Sequence, residues 1–70
     1  MIIEQMQTGI RVACAKRNKN LSEAASDAGI SPSTITRFMN NTTDIRLVTL
    51  AEFCRKGLGY SFETVLRMGK

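Results

Sequence analysis

An all-α fold of five helices is predicted by three features of the chain. Apolar residues recur at helical spacing from one end to the other, no stretch of any length alternates apolar and polar residues, and residues 21–40 carry helix start and stop signals on either side of Gly29. Those residues, LSEAASDAGISPSTITRFMN, read as two short helices joined by a tight turn, and the remaining helices serve to support them. Seventy residues make one domain, residues 1–70, with no internal repeat and little room for a linker. A domain of that size buries only about 60% of its extended surface, so it is marginal alone and gains from self-association or a bound partner.

The first helix spans residues 3–17, where Met6, Ile10, Ala13 and Cys14 form one apolar stripe. Gly9 within it weakens the helix by about 1 kcal/mol relative to alanine, which predicts a frayed start. Lys16, Arg17 and Lys19 lie at or past its C-terminal end, where cations suit the helix dipole. Asn20 and Glu23 make a capping box for the second helix, whose inner face (Ala24, Ala25, Ala28) is small enough for close approach. Gly29 ends that helix in a left-handed conformation that a Cβ disfavours.

Ser31 is the expected N-cap of the third helix, with Pro32 at its first position. Ile30 and Ile35 form a hydrophobic staple across the cap. Ile35, Phe38 and Met39 face inward, which leaves Pro32, Ser33, Thr36, Arg37 and Asn40 outward. A polar loop follows at residues 41–44. The fourth helix is expected at residues 46–56, with Leu47, Leu50, Ala51 and Cys54 buried, Phe53 at the edge, and Gly57 and Gly59 breaking it. Ser61 caps a last short helix whose Phe62, Val65 and Leu66 are apolar.

The formal charge of +4 leans toward a polyanionic partner, and the placement of charge says more than its sum. Arg11, Lys16, Arg17 and Lys19 cluster before the central helix pair, and residues 28–43 contain no acid, with Arg37 their only charge. A surface that meets phosphates excludes carboxylates. The two cysteines, Cys14 and Cys54, form no framework and no C-x-x-C pair, and the chain has no histidine, so they read as small core residues and no metal is expected. Without histidine, paired carboxylates in a motif or a glycine-rich phosphate loop, no catalytic residue, no cofactor and no small-molecule ligand are expected either. The N-terminus lacks signal-peptide character and no apolar run is long enough for a membrane, so a reduced, cytoplasmic setting is expected.

Two short helices with a polar, cationic face on the second form a helix-turn-helix suited to the major groove of double-stranded DNA. Phosphate contacts are expected from Arg17, Lys19, Asn20 and Ser22, joined by Thr34 and the loop residues Asn40, Asn41 and Thr43. Arg37 has two readings: a fork on O6 and N7 of a guanine, or a phosphate contact. Ser33 and Thr36 donate or accept, and the threonine methyl suits thymine. One module reads few base pairs, and small regulators bind palindromic operators as homodimers. Tyr60, Phe62, Leu66 and Met68 are the candidate dimer residues, with packing against the core as their other reading.

Two segments, AASDAGISPSTITRFMN and LVTLAEFCRKGLGYSFETVL, resemble the lambda repressor and Cro family of helix-turn-helix regulators. The first follows the family's alanine, then glycine four residues later, then a serine-opened helix. The second follows its leucine-rich fourth helix ending in Leu-Gly before a Ser-capped fifth, with residues 54–59 one residue longer than the usual spacing. The resemblance covers residues 20–66. It implies a compact lambda-repressor-like domain in which Pro32 and Ser33 open the base-reading helix and Thr36 and Arg37 lie one turn on. Asn40, Asn41 and Thr43 then match the stretch that meets the DNA backbone. Leu21 departs from the pattern, because many relatives carry a DNA-contacting glutamine there. A small phage- or mobile-element-type repressor is the reading that follows, with restriction-modification controllers and antitoxin autoregulators as further kinds of DNA binder. The rival is a partner-binding module of the same fold with little DNA binding of its own, against which the polar third helix argues.

Overall fold

A computed structural model describes residues 2–42 and 44–70. Among the described residues the chain is wholly helical: α1 (Ile2–Arg17), α2 (Leu21–Asp27), α3 (Pro32–Met39), α4 (Leu47–Glu52), which runs on into a π-helical segment (Phe53–Leu58), and α5 (Phe62–Met68). The core is one cluster. Ile10, Ile35, Phe53, Cys54, Leu58 and Val65 are fully buried at its centre, so α1, α3, the π segment and α5 all reach the same point.

The expected stripe of α1 is buried as read, and Asn20 and Glu23 close both halves of the capping box, Glu23 N–H to Asn20 Oδ1 at 2.8 Å and Asn20 N–H to Glu23 Oε1 at 3.1 Å. Gly29 has φ of +71°. Ile35, Phe38 and Met39 are buried, while Pro32, Ser33, Thr36, Arg37 and Asn40 are exposed. Ser31 stands at the N-cap position of α3 but its side chain makes no cap bond: its Oγ pairs with Ser33 Oγ at 2.9 Å instead. Ser61 does cap α5, accepting from Thr64 N–H at 3.1 Å.

Two glycines have roles other than those expected. Gly9 does not loosen the start of α1; it is buried at the crossing of α1 with α5, where a Cβ would overlap the Val65 carbonyl. Gly57 does not break the fourth helix either. It lies inside the π segment against α2, where a Cβ would overlap the Ala24 carbonyl, and it is Gly59, at φ of +77°, that ends the helix.

The buried side of the fourth helix is also corrected. Phe53 is fully buried, not at an edge, whereas Leu47 is exposed and Ala51 only half-buried. Phe53 lies three residues past Leu50 and shares its inward face, which continues through Cys54, Gly57 and Leu58 in the π segment. Leu47 keeps the phase of the stripe but sits on the first turn of α4, at the edge of an open groove, and is exposed.

Both thiols are buried. Burial raises the pKa of Cys14, partly offset by Lys19, and pushes that of Cys54 up to about 12. A thiol that resists ionisation in the folded state supports folding below its unfolded pKa, and that support is lost as pH rises from about 9.0 toward 12. Denaturant titrations between pH 8 and pH 11 should therefore show stability falling more steeply with pH in the wild type than in Cys54→Ala. Equal slopes would mean that the Cys54 thiol is hydrated.

Candidate nucleic-acid interface

The turn that orients α3 is built from backbone bonds. Gly29 N–H donates to Ser26 O at 3.0 Å and Ile30 N–H to Ala25 O at 2.9 Å, which closes α2 and drops Ile30 onto the core. At the far end of α3, Gln7 reaches from α1. Its buried amide donates to Phe38 O at 2.9 Å and to Asn41 Oδ1 at 2.8 Å, so α1 holds the end of α3 and the first residue of the following loop. Asn41 adopts φ of +59°, which asparagine tolerates. With both ends held, the outward face of α3 has its orientation set by α1 and α2.

Beside that face is an open cleft of about 500 Å³, lined by Arg11, Cys14, Asn20, Leu21, Ser22 and Thr36. Three elements meet there: the middle of α1, the start of α2 and the outward side of α3. The structure thus brings together Asn20, Ser22 and Thr36 from the sequence-predicted set. Asn20 spends its Oδ1 on the cap, and its amide NH₂ makes no hydrogen bond among the described residues. Leu21 is half-buried against the core and supplies only an apolar wall. Pro32, Ser33, Arg37 and Asn40 are exposed on or at the end of α3, and Thr34 is half-buried. Thr43 lies outside the described residues.

Two predicted phosphate ligands are engaged elsewhere. Arg17 Nε donates to Leu58 O at 2.9 Å, and its guanidinium lies 4.4 Å from the centroid of the Tyr60 ring. Lys19 Nζ pairs with Asp27 Oδ2 at 2.6 Å and donates to Gly57 O at 2.9 Å. Both cations therefore tie carbonyls at the end of the fourth helix to α1 and α2, a contact across some forty residues that no local pattern reveals. Arg11, in contrast, has no ion pair or hydrogen bond among the described residues and lines the cleft. In the sequence it is one of the basic cluster before the helix pair, and it lies on the exposed side of α1.

The four candidate dimer residues, Tyr60, Phe62, Leu66 and Met68, are half-buried and pack against the core. Among the described residues no cluster of His, Cys, Asp and Glu could hold a metal ion, and no helix is long and apolar enough to cross a membrane.

A glycine-turned helix pair with a clamped, polar, acid-free second helix beside a cationic cleft defines a helix-turn-helix DNA-binding domain. The chain belongs to the Cro/C1-type HTH DNA-binding domain family, which it matches over residues 9–68. It is thus a DNA-binding transcription regulator in general terms. No curated protein and no solved structure gives a match.

Proposed function

We propose that the chain is a small phage- or mobile-element-type repressor that binds a palindromic operator as a homodimer in the cytoplasm, with α3 in the major groove. The observation that carries this reading is the cleft joining Arg11, Asn20 and Ser22 to Thr36, because it sets a cation and two polar side chains beside the outward face of α3. A DNA strand following that cleft presents its base edges to Pro32, Ser33, Thr36 and Arg37. Asn20, Ser22, Thr34, Asn40, Asn41 and Thr43 serve the backbone. Arg11 is the principal phosphate cation, and Arg17 and Lys19 act indirectly by fixing the end of the fourth helix against α1 and α2.

The experiment is a salt titration of duplex binding. Affinity should fall at least about tenfold between 50 and 200 mM salt as counterions are released, and a flat response would remove the phosphate role. Arg11→Gln should weaken binding to all sequences alike and make the salt dependence shallower by about one unit of slope. An unchanged slope in that variant would leave Arg11 outside the interface.

A further inference from the structure

The end of α3 is closed by two backbone bonds: Asn41 N–H donates to Phe38 O at 3.1 Å and Thr42 N–H to Arg37 O at 2.8 Å. That pair of bonds finishes a helix on a left-handed residue, a place where glycine is usual. Here the residue is Asn41, at φ of +59°. Asn18 ends α1 in the same way at φ of +55°, and its side chain makes no hydrogen bond among the described residues. At Asn41 the side chain is engaged. Gln7, only 5% exposed, is the one polar side chain buried in the core among the described residues, and its Nε2 lies 2.9 Å from Phe38 O and 2.8 Å from Asn41 Oδ1. These contacts leave each amide a single orientation. A carbonyl only accepts, so Gln7 must turn its NH₂ to Phe38 O. The second hydrogen of that NH₂ requires an acceptor, so Asn41 must turn its Oδ1 inward. The NH₂ of Asn41 is thereby left on the outer limb of the amide, where it makes no hydrogen bond among the described residues.

We infer that Gln7 is a positioning residue for DNA binding: itself buried, it sets the Asn41 amide so that a donor, and not an acceptor, is offered to a backbone phosphate. The inference rests on the DNA reading above and deepens it at one of its backbone residues. Asn41 is exposed and follows directly on the outward Asn40, at the end of the acid-free helix. An amide free to rotate presents its oxygen as readily as its NH₂, and an oxygen repels a phosphate. The bond from Gln7 removes the wrong orientation before the duplex arrives, so less freedom is lost on binding. Glycine at position 41 would close the helix with less backbone strain but would offer no side chain for Gln7 to set.

A double-mutant cycle on the full chain tests this, with anisotropy on a short mixed-sequence duplex at low salt to read affinity and circular dichroism to verify folding. Gln7→Met, which fills the same space without donating, and Asn41→Gly should each stay folded and bind the duplex about fivefold more weakly. The two together should bind no more weakly than Asn41→Gly alone, because Gln7 then has no amide to set. Asn41→Asp keeps an acceptor for Gln7 but turns a carboxylate oxygen to the phosphate, so it should bind more weakly than Asn41→Gly. A Gln7 that serves the fold alone predicts otherwise: Gln7→Met would lower the melting point and leave affinity intact, or would cost as much affinity beside Asn41→Gly as in the wild type. Either result overturns the inference. An Asn41→Gly chain that binds like the wild type overturns it too, whether or not the Gln7 variant folds, and leaves the DNA reading standing. A folded wild type that binds no duplex brings down both.

Discussion

Gly9→Ala and Gly57→Ala should each melt about 10 °C below the wild type, as read by circular dichroism at 222 nm, on the usual scale of some 4–8 °C per kcal/mol for a domain this small. Helix propensity alone predicts the opposite sign, since alanine in a helix is favoured over glycine by about 1 kcal/mol. The added methyl decides the matter. At Gly9 it overlaps the backbone carbonyl of Val65, and at Gly57 that of Ala24, and a carbonyl fixed in a helix cannot turn aside as a side-chain tip can. Overpacking of that kind costs about 3 kcal/mol, which outweighs the propensity gain and leaves a net loss of about 2 kcal/mol. Gly29 provides the contrast. Nothing lies within 4 Å of a Cβ placed there, so Gly29→Ala meets only the left-handed backbone at φ of +71° and should lose about 1 kcal/mol. Gly29→Val should lose more, being β-branched. Melting points at or above the wild type for Gly9→Ala and Gly57→Ala would mean that α1 and α5, or α2 and the π segment, do not approach as closely as described.

Arg37→Ala should flatten sequence preference while sparing non-specific affinity. Arg37 is the only charge on α3, it is exposed, and it makes no ion pair or hydrogen bond among the described residues, so its fork is free to reach a base edge. A bidentate contact with guanine discriminates by about 1–3 kcal/mol, or roughly tenfold to a hundredfold between the preferred and the substituted base pair. Competition binding with matched duplexes that differ at single positions should show that preference vanish in the variant. An equal loss on every duplex would move Arg37 to the phosphates and leave Ser33 and Thr36 as the readers.

What the chain discloses about itself divides by range. The cap at Asn20, the turn at Gly29, the inward trio Ile35, Phe38 and Met39, and the start of α5 at Ser61 all depend on neighbours within four residues, and all could be read from local pattern. The outward face of α3 followed by elimination. The features that escaped depend on partners far along the chain. Gln7 holds the end of α3 from a distance of over thirty residues, and Arg17 and Lys19 bond to carbonyls about forty residues away. Gly9 and Gly57 gave no hint in sequence that their missing side chains admit another helix. Phe53 stands three residues past Leu50, at a spacing that already belongs to the inward face. Leu47 keeps its place on the apolar stripe, yet on the first turn of α4 it is left exposed among the described residues, which the spacing alone does not disclose.

The central claim is that α3 reads a defined sequence in duplex DNA, and the most direct measurement is selection of bound sequences from a random duplex pool by the full chain. The selection should enrich a twofold-symmetric site with half-sites about one helical turn apart, and Arg37→Ala should lose its most sharply preferred base pair. A pool left unenriched by folded protein at low salt would contradict it.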